Sequence, residues 1–561
     1  MSELRVWAPD AERPQLLVGD ERVALVRQER GWWATDRPLP PGTDYWIDLG
    51  DGQPRPDPRS PWQPHGVDGP SRSYDHDSYR WDDEGWRGVD LASSVVYELH
   101  VGTCTPEGTW AAAIERLDHL VDLGVSIVEL LPCNTFSGER GWGYDGVLWW
   151  APHHAYGSPD DLKAFVDGCH ARGLGVVMDV VYNHLGPAGN HLPQYGPWFT
   201  STYSTPWGDA LNYDSAGSDI VRWHVFDNAL MWLRDYHCDG LRLDAVHAIH
   251  DESALHLIAE LQQQVAVLDP PRFLIAESDL NDPKVVRTAD VGGWGVAAQW
   301  SDDFHHALHA AVTGERTGYY SEFDGPDVAT ALNEVFVYGG RYSPHRDRRH
   351  GAPVGNLPRT RFLGYAQNHD QVGNRAAGER LSMLVSLEQC KAVAALVLTA
   401  PFVPMLWMGE EWGAQTPWCY FTAHTDPDLA EAVREGRRGE FATFGWRPED
   451  VPDPQALQTF TQSRLDWDEP TEGQHKELLA WYRDLIALRR ERQLWTGDTS
   501  AHFDPADRCI VVRRPGVVVA ATLGGSTAVL ELSGTPLLAA GEVTIGDTSI
   551  RLGPWSVAVL G

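Results

Sequence analysis

The sequence predicts an α/β protein in which a (β/α)8 barrel is flanked by two β-sandwich domains. From Val95 onward, short β-branched runs alternate with amphipathic stretches of helical length. This alternation is typical of repeated βαβ units and a parallel sheet. Turn-rich segments with short alternating runs stand at both ends of the chain. Polar residues follow four of the predicted strands, as they do at the mouth of a barrel enzyme.

Eight candidate strands follow one another in the middle of the chain. The stretch SPDDLKAFV shows how an intervening helix begins, because Ser158 is suited to cap it and Pro159 to open it. Eight such units favour a closed barrel, and a doubly wound sheet is the alternative. The strands are predicted to begin near residues 95, 126, 175, 239, 272, 296, 361 and 403.

The two ends of the chain differ in character from the middle. Residues 1–88 contain runs such as LRVWAP and DYWIDL and close with a proline-rich stretch, so they are predicted to form a β-sandwich. Residues 89–494 are the predicted barrel, and residues 495–561 a second β-sandwich. Two connections are long, 185–216 after the third strand and 412–472 after the eighth. Loops in these places lie on the catalytic face of a barrel.

Composition excludes several classes of partner. The chain has 561 residues, with 45 Lys and Arg against 79 Asp and Glu and a formal net charge of −34. Such an acidic surface repels phosphate backbones and anionic lipid, so neither nucleic acid nor a membrane is expected to bind. The seven scattered cysteines never form C-x-x-C, and no secretory signal is visible. We therefore expect a soluble cytoplasmic protein with reduced thiols.

The polar residues after the predicted strands lie in DVVYNH, GLRLDAVH, LIAESD and AQNHD. Arg242 and Asp244 share one face of a strand, so the Arg charge is expected to lower the pKa of Asp244 and keep it ionised. Glu277 follows Leu-Ile-Ala, an apolar setting that is expected to raise its pKa and keep it protonated. One ionised and one protonated carboxyl group are what cleavage of a glycosidic bond requires. Asp179 is given a structural role.

These motifs, in this order and spacing, resemble the α-amylase family, glycoside hydrolase family 13. The resemblance covers nearly the whole chain and includes an N-terminal domain similar to the carbohydrate-binding-module-like domain of branching and debranching enzymes. It implies a retaining mechanism with Asp244 as nucleophile, Glu277 as general acid/base and Asp370 as transition-state stabiliser. It also implies an aromatic platform, Tyr144, and three residues that hold the sugar at the cleavage point: His184, Arg242 and His369.

Two departures from the α-amylase pattern narrow the choice within the family. His247 and Ala248 stand where α-amylases usually have Lys-His. The segment 185–211, where those enzymes place calcium ligands, offers one carboxylate, Asp209, and Asn183 would be a lone remnant of the site. These are too few hard anionic ligands for Ca²⁺. No metal and no other cofactor is therefore expected.

Longer strings, including AESDLNDPKVV and MGEEWGAQTPWCYFTAH, are similar to a trehalose-releasing branch of the family. This resemblance implies that the substrate is maltooligosyltrehalose, an α-1,4-glucan ending in trehalose, and that the bond next to trehalose is cut. It implies a functional partner, the maltooligosyltrehalose synthase that makes this substrate. Selectivity for trehalose is expected from loops 205–214 and 371–375. The candidate substrate-binding residues there and after the fourth strand are Trp207, Asp209, Gln371, Asn374 and His247.

Two alternative functions stay open at this stage. A glycogen-branching transferase would share the N-terminal domain and the same three carboxylates, but it would branch glucans rather than release trehalose. A non-catalytic glucan-binding protein would have a decayed site, and the intact set Asp244, Glu277 and Asp370 argues against it.

Overall fold

The computed structural model describes residues 4–35, 37–442 and 446–561. The remaining positions, which belong to the predicted N-terminal domain and to the predicted 412–472 loop, lie outside the described residues. The core of the molecule is a closed parallel barrel. Its strands are β1 (Val96–Leu99), β2 (Ile127–Leu130), β3 (Gly175–Val180), β4 (Gly240–Leu243), β5 (Phe273–Ala276), β6 (Ala298–Trp300), β7 (Phe362–Gly364) and β8 (Val403–Trp407).

Each barrel strand pairs with the next along the chain, and β8 closes the barrel by pairing with β1. Every strand begins within two residues of its predicted start, so the predicted barrel is confirmed. The doubly wound sheet is wrong, because its edge strands would stay unpaired. β6 is short, which explains why its pattern is weak in the sequence.

The interior of the barrel is filled in layers. Successive side chains of a strand point to opposite faces, so residues two apart share the interior. The lower layer is apolar and contains Val96, Ile127, Val177 and Ile275. Two residues further along their strands stand Glu98, Glu129, Asp179 and Glu277, joined by Arg242 from β4. The polar layer therefore lies at the C-terminal end of the barrel, directly beneath its mouth.

Helices surround the barrel and begin where the sequence signals predict. Ser158 caps the helix Pro159–His170 in a reciprocal capping box with Asp161. Two short helices, Trp110–Ile114 and Leu117–Leu123, connect β1 to β2 after a first helical turn, and Gly124 ends the second of them in a left-handed conformation. The α-helices are Val101–Cys104, Trp110–Ile114, Leu117–Leu123, Pro159–His170, Leu192–Tyr195, Ser218–Arg234, Leu257–Val265, Asp302–Thr313, Gly325–Glu334, His369–Gly373, Leu381–Leu384, Leu387–Leu398, Pro427–Ala442, Leu457–Thr461 and Gly473–Glu491.

The two long connections carry structure of their own. The first contains the antiparallel hairpin Phe199–Thr205 and Gly208–Leu211. The second contains the helix Pro427–Ala442, in which Arg437 donates a hydrogen bond to the carbonyl oxygen of Gly373. Gly373 ends the short helix that follows β7. Both connections therefore border the mouth of the barrel.

Strand-rich regions flank the barrel on both sides, each built from a larger and a smaller antiparallel sheet. The domain boundaries given above stay predictions. The N-terminal strands are Leu4–Trp7, Gln15–Val18, Glu21–Ala24, Val26–Arg27, Trp32–Thr35, Asp44–Asp48, Pro54–Arg55 and Ser71–Arg72. The C-terminal strands are Ser500–Asp504, Cys509–Arg514, Val517–Thr522, Ala528–Leu530, Pro536–Ala540, Val543–Ile545, Ile550–Leu552 and Val557–Leu560.

A buried group of side chains fastens the segment after the N-terminal sheets to the base of the barrel. His170 lies 2.8 Å from Asp83 and 3.1 Å from Asp239, through its two ring nitrogens. Asp83 also pairs with His237, and Trp86 donates to Asp239. We call these five residues the base cluster. Asp239 directly precedes β4, so the cluster lies at the N-terminal end of the strands, opposite the mouth.

All seven cysteines are buried and unpaired. Within the described ranges, no helix has both the length and the apolar character needed to cross a membrane.

Candidate active site

The guanidinium group of Arg242 lies at the centre of the barrel mouth and is fully buried. Its Nη1 donates to Asp179 at 2.7 Å and to Asp244 at 2.9 Å, and its Nη2 lies 3.3 Å from Glu277. Its guanidinium carbon lies 4.2 Å from the centroid of the Trp300 ring. Burial alone would lower the pKa of Arg242, but the surrounding acids raise it well above its usual value. One fixed positive charge therefore holds three carboxyl groups in place.

Asp244 directly follows β4, and a second residue orients it. The side-chain amide of Asn183 donates to Oδ2 of Asp244 at 2.7 Å and to its carbonyl oxygen at 3.1 Å. Arg242 occupies Oδ1. Two hydrogen bonds, one to each oxygen, thus fix the plane of the Asp244 carboxylate.

Glu277 directly follows β5, the strand that pairs with β4, and lies beside Asp244. Burial, with the charges of Asp244 and Asp370, raises its pKa to about 8 despite Arg242. Its Oε2 accepts the backbone N–H of Ala245 at 2.6 Å. Ala245 adopts a left-handed conformation with φ 39°, which a residue with a Cβ rarely adopts. The chain therefore bends sharply after Asp244 in order to direct this N–H at Glu277.

His369 and Asp370 begin the short helix after β7. Nδ1 of His369 lies 2.5 Å from Oε1 of Glu98, and the other oxygen of Glu98 accepts the backbone N–H of His369 at 3.1 Å. Burial lowers the pKa of His369, but the charges of Asp370 and Glu98 outweigh it and raise the pKa to about 9. The imidazole is therefore protonated at neutral pH. Its Nε2 points toward Asp370, 3.4 Å away.

Tyr144 and His184 complete one wall of the mouth. The Tyr144 hydroxyl donates to Asp179 at 2.6 Å, and its ring lies nearly parallel to His369 with centroids 5.1 Å apart. His184 lies 3.0 Å from the carbonyl oxygen of Tyr144. Trp207, at the tip of the hairpin, stacks on His184 at 4.1 Å and leaves about half of its surface (49%) exposed. The long connection after β3 thus brings an open aromatic face to the site.

The other candidates stand further from the carboxylates. His247 accepts the backbone N–H of Asp279 at 3.3 Å, at the edge of the mouth. Asp209 is exposed on the hairpin, and no hydrogen bond between described residues links it to Asp244, Glu277 or Asp370. Gln371 uses its side-chain oxygen to cap its own helix. Asn374 reaches Asp370 with a long contact of 3.5 Å.

The chain is similar in sequence to known proteins over almost its whole length. The malto-oligosyltrehalose trehalohydrolase of Arthrobacter ramosus is 53% identical over 99% of this chain and 98% of its own length. That of Rhizobium sp. (strain M-11) is 48% identical over 99% of this chain and 97% of its length. The chain belongs to the malto-oligosyltrehalose trehalohydrolase family.

Broader comparisons relate this chain to the α-amylases. The family profile named alpha amylase, catalytic domain, matches residues 70–195. A crystal structure of a Salmonella typhimurium protein assigned to the alpha amylases superposes with a TM-score of 0.93, at 39% identity, covering 100% of this chain and 97% of the other. The predicted membership of the α-amylase superfamily is confirmed.

The described residues do not include a set of side chains suited to bind calcium as in the α-amylases. Asn183 is the lone remnant that the sequence suggested for such a site. Its side-chain N–H donates to Asp244, and its side-chain oxygen contacts Nδ1 of His184. Asp209 stands exposed on the hairpin. Across the described residues, no group of three or more His, Cys, Asp or Glu side chains could hold a metal ion. The residues present do not fit a Ca²⁺ site.

Three residues of the trehalohydrolase site were missed by sequence reasoning. Glu98 lies inside VVYELHV, where a lone acid in a buried strand was the available signal. Asn183 was considered only as a metal remnant, but it orients Asp244. Asp302 follows β6, so the rule that found the other strand-end residues applies to it as well. Its signal in the sequence is weak because β6 has only three residues.

Proposed function

We propose that this chain hydrolyses the α-1,4-glucosidic bond next to the terminal trehalose unit of maltooligosyltrehalose. Trehalose and a shortened maltooligosaccharide are the products. The observation that carries the chemistry is the pair of carboxyl groups on one guanidinium, Asp244 with its contacts to Arg242 and Asn183, and Glu277 with a pKa raised to about 8. The substrate follows from the name of the relatives that match the whole chain.

The first step breaks the glycosidic bond. Glu277 gives its proton to the glycosidic oxygen, and trehalose leaves with that oxygen as a hydroxyl group. A carboxylate oxygen of Asp244 attacks the anomeric carbon and forms a covalent glycosyl ester. Asp370 accepts hydrogen bonds from sugar hydroxyl groups as the ring flattens toward the oxocarbenium ion. Tyr144, His184, Arg242 and His369 hold that sugar.

The second step releases the glucan. Glu277, now ionised, takes a proton from a water molecule, and the water oxygen attacks the anomeric carbon. The bond to Asp244 breaks, Asp244 regains its negative charge, and the configuration at the anomeric carbon is retained. The contacts of Arg242 support this assignment. One guanidinium reaches both Asp244 and Glu277, which favours the spacing of about 5–5.5 Å found in retaining enzymes over the roughly 6.5–9.5 Å of inverting ones.

The chemistry of the substrate places the enzyme after another one. Maltooligosyltrehalose has to be made from a maltooligosaccharide, so a maltooligosyltrehalose synthase is the functional partner in this proposal. The cytoplasm is the proposed location, because seven buried and unpaired cysteines are typical of a reducing compartment.

Product analysis by chromatography tests the proposal on two substrates, maltotriosyltrehalose and maltopentaose, with the Glu277→Gln variant as the blank. We expect trehalose and maltotriose from the first and slow attack on the second. Equal cutting of both would reduce the activity to that of a general α-1,4-glucanase. Proton NMR of the first product formed checks the mechanism, because retention gives the α-anomer.

The same experiment separates the two alternatives. A branching transferase would form new α-1,6 branches on amylose and release no trehalose. A glucan-binding protein would be as inert as its Glu277→Gln variant while still binding glucan. Either result would replace the proposed hydrolase.

A further inference from the structure

A carboxyl group that the mechanism does not use stands at the mouth beside the catalytic acid. Asp302 is the first residue of the helix after β6 and is partly exposed. The hydroxyl group of Tyr365 donates to its Oδ1 at 2.5 Å. Tyr365 is fully buried just beyond the end of β7, so it holds that oxygen in a fixed position. The second oxygen of Asp302 has no such partner among the described residues.

The surroundings place Asp302 inside the catalytic mouth rather than on its outer rim. Burial, with the negative charges of Asp279 and Asp370, raises its pKa to about 7. The charge of Asp302 also contributes to the raised pKa of Glu277. Trp300, two residues before Asp302, packs on the guanidinium group of Arg242 at 4.2 Å, and residues two apart along an extended chain share one face. Asp302 is thus a fourth acidic group in the mouth, next to Glu277 and Asp370.

The order of strands around the barrel shows which side of the substrate Asp302 faces. Tyr144, His184 and Asp244, which follow β2, β3 and β4, form the wall that holds the sugar at the cleavage point. Glu277 follows β5 and delivers its proton to the oxygen that leaves. Asp302 comes next, after β6. The departing part of the substrate extends past Glu277, away from that wall and therefore toward Asp302.

We propose that Asp302 binds hydroxyl groups of the departing disaccharide and so helps to select trehalose as the leaving group. This inference rests on the proposed function. A carboxylate can accept two hydrogen bonds from neighbouring hydroxyl groups of a neutral sugar. Tyr365 orients one oxygen, and the open oxygen is left for the sugar. A leaving group that lacks the matching hydroxyl groups would leave this acid without a partner.

The adjacent residue supplies a matched control. Asp303 is buried, and its Oδ2 accepts the side-chain amide of Asn281 and the backbone N–H of Tyr338, both at 2.9 Å. Its hydrogen bonds are directed into the protein. Asp303→Asn therefore makes the same chemical change one residue away from Asp302→Asn, without touching the mouth.

The experiment compares two substrates that share the glucan side and differ in the leaving group. Maltotriosyltrehalose has the full disaccharide, and α-maltotriosyl fluoride has a fluorine atom in its place, which leaves as fluoride ion. We expect Asp302→Asn to lower kcat/KM for maltotriosyltrehalose by roughly 10- to 100-fold, the effect of one lost charged hydrogen bond, and to lower that for the fluoride far less. Inhibition by added trehalose should weaken by a similar factor. Asp303→Asn should change kcat/KM for the two substrates by the same factor.

Several outcomes would overturn the inference. Equal losses on the two substrates would mean that Asp302 supports the glucan side or the nucleophile, because fluoride leaves without a proton from Glu277. An unchanged inhibition by trehalose would mean that Asp302 acts through Glu277 and does not bind the leaving group, and an unchanged kcat/KM would mean that it does neither. Tyr365→Phe, which keeps the carboxylate but frees the oxygen that Tyr365 holds, should show a smaller loss of the same kind, and thermal unfolding confirms that each variant folds. If the wild type released no trehalose at all, the proposed function would fail instead.

Discussion

The two ends of the barrel both bury histidines and carboxylates, but they leave those groups in opposite conditions. At the base, His170 is held between Asp83 and Asp239, and each of these acids has a further partner in His237 or Trp86. At the mouth, Glu277 has one oxygen bound by Ala245 and Arg242, and burial raises its pKa to about 8.

The difference lies in whether the charges are matched. In the base cluster, the paired histidines lower the pKa of Asp83 although burial opposes this, and the acids raise the pKa of His170. Matched charges of this kind join two parts of a chain. At the mouth, Glu277, Asp302 and Asp370 share too few cations. Like charges that face an opening are costly to the fold and are suited to proton transfer.

The largest effect is expected at Glu277. Glu277→Gln keeps the hydrogen bond from Ala245 but carries no proton to transfer, so kcat should fall by roughly 10²- to 10⁴-fold. Steady-state kinetics on maltotriosyltrehalose measure this, with circular dichroism to show an intact fold. A variant with more than a tenth of the wild-type kcat would contradict the assignment. In the wild type, kcat/KM should decline above about pH 8, as the acid ionises.

The same substitution also tests how the mouth affects stability. Because the pKa of Glu277 is raised to about 8 on folding, the folded state binds more protons than the unfolded chain between its ordinary pKa and that value. Wild-type stability is therefore lost as the pH rises through this window. Glu277→Gln has no such loss, so its Tm relative to wild type should increase with pH. Parallel Tm curves would show that folding does not raise the pKa of Glu277.

The base should respond in stability rather than in chemistry. His170→Ala leaves Asp83 and Asp239 buried with fewer partners and should lower the free energy of unfolding by about 3–5 kcal/mol. Activity per folded molecule should persist. Since the pKa of His170 is raised on folding, its contribution is full below the unfolded pKa and is lost as the pH rises through the folded pKa.

The destabilisation by His170→Ala should accordingly be greater in acid than in alkali, as measured by urea unfolding. His154→Ala, which breaks an exposed pair with Glu139 at 3.1 Å, is the control and should cost at most about 1 kcal/mol. Equal costs at the two positions would remove the distinction between a buried cluster and a surface pair.

A smaller effect on activity is expected at the ion pair between Glu98 and His369. Glu98→Gln removes one of the two negative charges that, with Asp370, keep His369 protonated and should lower kcat/KM about 10-fold at neutral pH, as expected for a charged hydrogen bond. Part of the loss should be recovered in acid, where His369 regains its proton.

Glu129 provides the control for that pH profile. It is paired with Glu98 in the strand register, and burial raises its pKa well above the usual value. Burial thus disfavours its charged form, and Glu129→Gln should leave the profile in place. Parallel wild-type and Glu98→Gln profiles would assign Glu98 a packing role alone.

The smallest effect is expected at the outer wall. Trp207→Ala removes the ring that stacks on His184 at 4.1 Å, and contacts of this kind contribute about 0.5–1.5 kcal/mol. KM should rise several-fold while kcat changes little. Trp223→Ala, which removes a comparably exposed ring beside Arg30, should have no effect on KM. A similar KM for the two variants would separate Trp207 from substrate binding.

Much of the fold could be predicted from the sequence because its signals are local. The period of the apolar residues distinguishes the strands from the helices, and Ser158 with Pro159 marks where a helix starts. The motifs also place Asp244, Glu277 and Asp370 at strand ends. In a barrel these ends are brought together whatever the details of the loops.

The sequence by itself therefore determined the eight βα units, the family and the three catalytic carboxylates of the proposal. The tertiary structure alone decided closure of the barrel, the pairing of Glu98 with His369, the role of Asn183 and the place of Trp207 over His184. The physical reason is range. Periodicity and capping act within a few residues, but these contacts join segments far apart in the chain, and their hydrogen bonds and charges depend on the distances that only packing sets.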